Sequence, residues 1–96
     1  FTSGQIPVNP ADGTVPDGIS AQTHQSCKNV GAVLASVGSG YEKVVKATCF
    51  LADMKDFAAF NEVYAQYFVS KPARSCVAVR ELPKGVLCEI EVIAEL

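Results

Sequence analysis

The sequence contains no tryptophan, one histidine and one methionine, and its charges form no runs. Its eight Lys and Arg residues are scattered between Lys28 and Lys84, and the net charge is -2. This distribution disfavours the basic surface that binds nucleic acid. No apolar stretch approaches the roughly 20 residues of a membrane-spanning helix, and Phe1–Gly4 does not resemble a secretion signal. We therefore expect a soluble protein that binds no membrane and is cytoplasmic, with a mitochondrial location left open.

Recognisable catalytic and metal-binding motifs are also absent. There is no nucleophile elbow, phosphate-binding glycine loop or H-E-x-x-H zinc helix. The four cysteines lie in apolar periodic segments without a C-x-x-C pair; they are Cys27, Cys49, Cys76 and Cys88. With His24 as the lone histidine, a zinc site would need widely separated ligands. We predict no metal site and interpret the cysteines as reduced, buried and small hydrophobic residues.

Apolar residues make up 49% of the 96-residue chain and charged residues 19%, which indicates a folded protein. A chain of this length forms one domain, residues 1–96, and buries a smaller fraction of its surface than a larger protein does. Association with further copies would bury more of this apolar surface. We therefore expect an oligomer.

Two segments have the apolar spacing of an amphipathic helix. The first starts at Ile19 and is closed by Gly38 and Gly40. Its apolar stripe consists of Ile19, Thr23, Cys27, Val30, Val33, Leu34 and Val37. The second follows a cap at Asp53 or Asp56 and is stopped by Pro72. Its aromatic stripe consists of Phe57, Phe60, Tyr64, Tyr67 and Phe68. We assign that stripe to the core.

Alternation and β-branched residues predict the strands. The predicted strands are Phe1–Pro7, a short return after a turn at Asn9–Gly13, Val44–Leu51, Ser75–Leu82 and, after a turn at Pro83–Gly85, Val86–Glu95. The order ββαβαββ predicts an α+β fold with two helices on one face of a mainly antiparallel or mixed sheet. On the other face of the last strand, carboxylates alternate with Leu87 and Ile93, a mixture typical of a subunit interface.

Arg74 is the most suggestive candidate for a binding residue, because it lies at the entrance to a buried strand. Its planar fork of donors suits bidentate capture of a carboxylate. The alternative is a structural ion pair with Glu89 or Glu91, and the spacing does not choose between them. Those two glutamates share a face, and either would lie opposite Arg74 if the last two strands pair. A carboxylate in such a cleft could orient and deprotonate a water.

Two other residues invite a catalytic interpretation that the pattern disfavours. Cys76 has no histidine near it in sequence, and a cysteine on a strand usually serves packing. His24 lies away from the apolar stripe of the first helix, so we expect a solvated histidine there.

A set of short segments is specific in its order and spacing. The segments are Ser3-Gly4-Gln5-Ile6-Pro7, Gln22-Thr23-His24-Gln25-Ser26, Val45-Lys46-Ala47-Thr48, Asp53-Met54-Lys55-Asp56-Phe57, Asn61-Glu62-Val63-Tyr64, Pro72-Ala73-Arg74-Ser75-Cys76-Val77, Leu82-Pro83-Lys84-Gly85 and Glu89-Ile90-Glu91. Over essentially its whole length the chain resembles the Rid family of reactive-intermediate deaminases, also called the YjgF family.

The resemblance implies a chorismate-mutase-like α+β fold. It also implies a homotrimer whose sheets line a central barrel and whose active clefts lie between neighbouring subunits. The implied enzyme is a 2-iminobutanoate/2-iminopropanoate deaminase. Such an enzyme hydrolyses 2-aminoacrylate and related enamine or imine acids, released by pyridoxal-phosphate enzymes, to 2-keto acids and ammonia without a cofactor.

The resemblance also implies roles for individual residues. Arg74 would bind the substrate carboxylate, Cys76 would lend backbone contacts without acting as a nucleophile, and Glu89 would position the attacking water. An imine carbon is already electrophilic, so holding the acid and presenting one oriented water could supply much of the acceleration.

Four further positions match the family's motifs. Ser3 and Gly4 match positions at the cleft wall, whereas Asn61 and Tyr64 match the signature of the second helix. Two features depart from the family's pattern. The family begins with a further strand and a Gly-Pro-Tyr type segment that lends a tyrosine to the cleft, and this sequence starts after it, at Phe1. The link at 69–71 is shorter than in many members.

Two alternative functions stay open. Some members of the family are described as translation inhibitors with ribonuclease activity, which the acidic balance of this chain disfavours. The other alternative is a module without catalytic activity that binds metabolites or acts as a chaperone. The retained Arg74 favours the deaminase.

Overall fold

The structure, a computed structural model, describes residues 1–96 and contains two α-helices and three strands. They are α1 (Ile19–Ser36), β1 (Val44–Leu51), α2 (Phe57–Tyr67), β2 (Ala73–Ala78) and β3 (Cys88–Ala94). Short 3-10 turns precede β1, α2 and β3. Neither helix has the length and apolar character needed to cross a membrane.

The three strands form one mixed sheet in the order β2-β1-β3. β1 pairs with β2 in parallel and with β3 antiparallel. The parallel pair is joined by a crossover through α2, as parallel strands require. The last two strands, β2 and β3, do not pair with each other, because β1 lies between them. Glu89 and Glu91 therefore do not lie opposite Arg74 on a neighbouring strand.

Both helices pack on one face of the sheet, which confirms the predicted α+β arrangement. The core cluster joins α1, α2 and the inward residues of the sheet, and its largest fully buried side chains are Phe60, Phe68, Leu51 and Ile90. Tyr64 is also buried, while Phe57 and Tyr67 pack against the cluster from its edge. The aromatic stripe of α2 therefore serves the core, as predicted.

The N-terminal segment differs from the predicted hairpin. Gln5 forms an isolated antiparallel bridge with Ile90, and the Thr2 N–H donates to the Val92 carbonyl at 2.9 Å. This segment therefore lies along the free edge of β3. The turn after Asn9 forms, with the Gly13 N–H donating to the Asn9 carbonyl. The predicted return strand after this turn is wrong; Pro16, which lies in that stretch, lacks the N–H that a strand ladder uses.

Two element ends also differ from the prediction. α2 ends at Tyr67, before Pro72, and the Phe68 N–H donates to the Tyr64 carbonyl to close its last turn. β2 covers Ala73–Ala78 instead of Ser75–Leu82, because its partner β1 ends at Leu51. An edge strand cannot extend past the strand that supplies its hydrogen bonds.

The solvent side of α1 corrects two further predictions. Val33 is 37% exposed and Val37 60% exposed, so the buried stripe is narrower than predicted. Val33 is rotated by about 100° from the buried Leu34, and Val37 follows the last helical residue. His24, expected to be solvated, is half-buried. Its Nδ1 lies 2.8 Å from the Tyr67 hydroxyl, and this contact links α1 to α2.

Candidate functional site

Arg74 lies at the start of β2, on the face of the sheet that α2 covers. Its Nη1 donates a hydrogen bond to Oδ1 of Asn61. Its Cζ lies 4.8 Å from the ring centroid of Tyr64 and 5.5 Å from that of Phe57. These distances are those of cation–π contacts. The guanidinium is therefore held by one helix, and most of its five N–H donors are free for a ligand.

A groove of about 360 Å³ surrounds this arginine. It is lined by Asn61, Tyr64, Ala65, Phe68, Lys71, Pro72 and Arg74. The lining includes two cationic residues and no aspartate or glutamate. Such a groove has the size and charge to bind a small anion.

The ring of Tyr64 packs against the Arg74 guanidinium and forms part of the groove wall. Its side chain is 6% exposed, and its hydroxyl is buried without a hydrogen-bond partner in the chain. Burial raises the pKa of the Tyr64 phenol. The residue therefore remains neutral, and its ring serves as the platform beneath the Arg74 guanidinium.

Cys76 follows Arg74 on the same face of β2 and lies in register with Cys49 of β1. Burial raises the pKa of the Cys76 thiol, and the charge of Arg74 offsets this in part. The thiolate is the nucleophilic form of cysteine. A half-buried thiol with a raised pKa is poorly suited to nucleophilic catalysis, whereas its backbone remains close to the arginine.

Glu89 lies on β3 and meets the N-terminal segment. A Cβ added at Gly4 would come within 1.9 Å of Oε2 of Glu89, so the carboxylate lies directly against the Gly4 backbone. Burial raises the pKa of Glu89, and the charge of Glu91 raises it further. Ser3 precedes Gly4 and is exposed. A carboxylate, an exposed hydroxyl and an open glycine backbone thus lie at one edge of the sheet.

Arg74 and Glu89 occupy opposite faces of the sheet. Arg74 is in register with the buried Ala47, and Glu89 is in register with Phe50. Residues in register on adjacent strands share a face, and positions 47 and 50 of one strand point to opposite faces. The alternative interpretation of Arg74, an ion pair with Glu89 or Glu91, is therefore not realised within this chain.

The seven predicted site residues fall into two groups that the fold of this chain does not bring together. The first, the arginine half-site, consists of Asn61, Tyr64, Arg74 and Cys76. The second, the glutamate half-site, consists of Ser3, Gly4 and Glu89. A second cavity of about 420 Å³, between the N-terminal segment and α1, is lined by Gly4 alone among the seven.

Sequence reasoning missed two residues around Arg74. Phe57 was assigned to the core with the other aromatics of α2, although it lies beside the guanidinium. Lys71 carried no signal apart from its place before Pro72, yet it lines the same groove. Neither contact could be inferred without the packing of α2 against β2.

The fold defines a small α+β protein with a cationic groove around Arg74 at one edge of the sheet. The family model described as Endoribonuclease L-PSP matches residues 1–96. The chain belongs to this family, which is also known as the YjgF, RutC or Rid family.

Similar proteins carry several names. The chain is 48% identical over 98 residues to the 2-iminobutanoate/2-iminopropanoate deaminase of Escherichia coli, covering 98% of this chain and 77% of that protein. It is 51% identical over 96 residues to a RutC family protein of Pyrococcus horikoshii, covering 98% and 76%. The structure of Escherichia coli TdcF with bound serine superposes with a TM-score of 0.93 at 45% identity, covering 97% of this chain and 76% of that one.

Proposed function

We propose that this protein hydrolyses small 2-imino acids, and the enamines from which they form, to 2-keto acids and ammonia. Water adds to the C=N carbon, the C–N bond breaks, and nitrogen leaves as ammonia while the carbonyl forms. The observation that carries this proposal is the groove around Arg74, which has free guanidinium donors and no acidic side chain. The deaminase relative and the serine-bound structure support a ligand of amino-acid size.

In this proposal Arg74 grips the substrate carboxylate with two parallel hydrogen bonds. Asn61 and Tyr64 hold the guanidinium in place, and the backbone near Cys76 contacts the ligand. The substrate carboxylate is thereby fixed, and the adjacent imine carbon of the substrate is held in a defined position. Fixing the reacting carbon supplies a large part of the acceleration expected for an oriented reaction.

Glu89 positions the attacking water and accepts its proton, and Ser3 and Gly4 form the wall beside it. A carboxylate whose pKa is raised is a better proton acceptor near neutral pH than an ordinary one. The reaction needs no cofactor, because the imine is already electrophilic and every proton transfer can involve water or Glu89.

The two half-sites of one subunit support an active cleft that two subunits build together. In this arrangement the arginine half-site of one copy faces the glutamate half-site of the next. A closed ring in which each copy plays both roles has cyclic symmetry. We propose the homotrimer of the family for this chain, with the outer face of the sheet turned towards its centre.

The test is imine hydrolysis by the purified protein. An amino-acid oxidase generates the imino acid, and semicarbazide competes for it, so that hydrolysis lowers the semicarbazone signal. We expect the wild-type protein to lower the signal and Arg74→Ala to have no effect. Arg80→Ala is the matched control, because Arg80 is an exposed arginine just beyond β2 and lines no groove.

Equal signals from wild type and Arg74→Ala would contradict the proposal. The family description raises RNA cleavage as the competing activity. The same preparations would therefore be incubated with RNA over a range of salt concentrations. Binding to phosphates weakens steeply with salt, so salt-dependent cleavage without imine hydrolysis would favour the ribonuclease.

A further inference from the structure

The link between α2 and β2 carries a lysine in an unusual backbone conformation. Lys71 has a φ of 55°, and its backbone N–H donates to the Phe68 carbonyl at 3.1 Å. Glycine and asparagine adopt this left-handed conformation at lower cost than lysine does. Backbone conformations of this kind are concentrated at functional sites.

Lys71 lines the same groove as Arg74. No aspartate or glutamate lines this groove, so nothing in it neutralises either cation. The Lys71 side chain is exposed, and its ammonium group takes part in none of the side-chain hydrogen bonds of the chain. The residues that line the groove therefore carry two positive groups of different kinds, an anchored guanidinium and a free ammonium.

The two groups suit different tasks. Arg74 is fixed by Asn61 and by two aromatic rings, so it can bind one carboxylate in a defined orientation. Lys71 is a compact charge on a flexible stem and can follow an anionic group at a variable distance. A ligand held at Arg74 by its α-carboxylate can direct its side chain along the groove that Lys71 also lines.

We propose that Lys71 makes the groove select 2-imino and 2-keto acids that carry a second carboxylate on the side chain. This inference rests on the proposed function, since it takes Arg74 as the group that binds the α-carboxylate. An ammonium and a carboxylate roughly 6 Å apart in water attract each other enough to change affinity about threefold. The preference falls as salt rises, because exposed charges are screened.

Calorimetric titration with stable 2-keto acids tests the selectivity. The probes are 2-oxoglutarate and 2-oxohexanoate, which have similar lengths and differ in the second carboxylate. We expect wild type to prefer 2-oxoglutarate about threefold at low salt. We expect Lys71→Gln to bind the two equally.

Lys84→Gln is the matched control. Lys84 is also an exposed lysine with a left-handed backbone, at a φ of 59°, and it lines the other cavity instead of the Arg74 groove. Lys84→Gln should keep the wild-type preference. The two variants should have similar melting temperatures, because in both of them glutamine replaces an exposed lysine with a left-handed backbone.

The outcomes separate this inference from the proposed function. If wild type binds both keto acids equally, or if Lys71→Gln keeps the preference, the role of Lys71 is overturned while Arg74 still binds a carboxylate. If wild type binds neither keto acid, both the proposed function and the role of Lys71 are overturned. Loss of binding to both probes in Arg74→Ala, together with loss of selectivity in Lys71→Gln, supports the two roles.

Discussion

At the scale of single residues, Gly4 provides the sharpest test of the glutamate half-site. Its missing Cβ leaves the space that Oε2 of Glu89 occupies. Gly4→Ala would push the carboxylate aside while leaving the backbone free of strain, since Gly4 has no left-handed φ. We expect imine hydrolysis to fall at least about tenfold, because a positioned general base contributes about 100- to 10,000-fold.

Gly40→Ala is the matched control for Gly4→Ala. A Cβ at Gly40 would lie 2.7 Å from Oε2 of Glu42, so this change also displaces a glutamate. Glu42 is exposed and lies in the turn before β1. Steady-state rates and urea unfolding of both variants give the comparison. An equal loss of activity in the two variants would contradict the role of Glu89.

A pH profile tests the ionisation of Glu89. Its pKa is raised, so the carboxyl stays protonated to a higher pH than usual, and activity that needs the carboxylate falls as pH drops through that pKa. Glu91→Gln removes a like charge, which makes ionisation of Glu89 easier and lowers its pKa. We expect the acid limb of kcat/KM to move to lower pH. Glu95→Gln, at an exposed position past β3, should leave the limb in place.

At the scale of elements, the buried side chain of Gln22 links α1 to two other segments of the chain. Gln22 is 7% exposed; its Nε2 donates to the Pro16 carbonyl at 3.0 Å, and its Oε1 accepts from the Leu87 N–H at 2.7 Å. The first bond joins α1 to the loop before it, and the second holds the start of α1 against the segment that leads into β3. Because β3 carries Glu89, the second bond also supports the glutamate half-site.

Gln22→Ala removes both bonds and leaves the Leu87 N–H without its partner. We expect the free energy of unfolding to fall by about 1–3 kcal/mol, the usual cost of an unsatisfied buried group. Urea unfolding at fixed protein concentration measures the change. Gln66→Ala is the control, because Gln66 is exposed and bonds only to the Glu62 carbonyl of its own helix. Equal stability of the two variants would show that Gln22 does not hold these elements together.

At the scale of the whole molecule, Arg74 and Glu89 lie on opposite faces of the sheet, and a complementation experiment tests whether two copies combine them in one cleft. Arg74→Ala and Glu89→Gln should each be inactive alone. When the two variants exchange subunits, some clefts combine an intact arginine half-site with an intact glutamate half-site. In randomly mixed trimers about a quarter of the clefts are restored, so about a quarter of the wild-type activity should return.

Two controls define the complementation result. Each variant treated alone should stay inactive, and Arg74→Ala mixed with the Arg74→Ala/Glu89→Gln double variant should recover nothing. Sedimentation of the wild type should give three times the chain mass of 10.2 kDa. If an active wild type sediments as a monomer, a site shared between subunits is excluded.

Local patterns predicted most of the elements, because helices and strands bury faces with different periods. Val44–Leu51 was predicted with the bounds that β1 has, and the aromatic stripe of α2 was assigned to the core where it lies. Element ends were less accurate. β2 stops where β1 stops, and residues 11–18 form no strand, since both depend on which neighbour offers hydrogen bonds.

The sequence by itself determined the α+β class, the buried faces of the elements, the family and Arg74 as the residue to examine. Only the tertiary structure decided that β1 separates the last two strands, that Asn61 and Phe57 hold the guanidinium, and that Lys71 shares its groove. The physical reason is that periodicity specifies which face of an element is buried, whereas contacts between distant segments depend on strand order and register. The separation of Arg74 from Glu89 follows from that order.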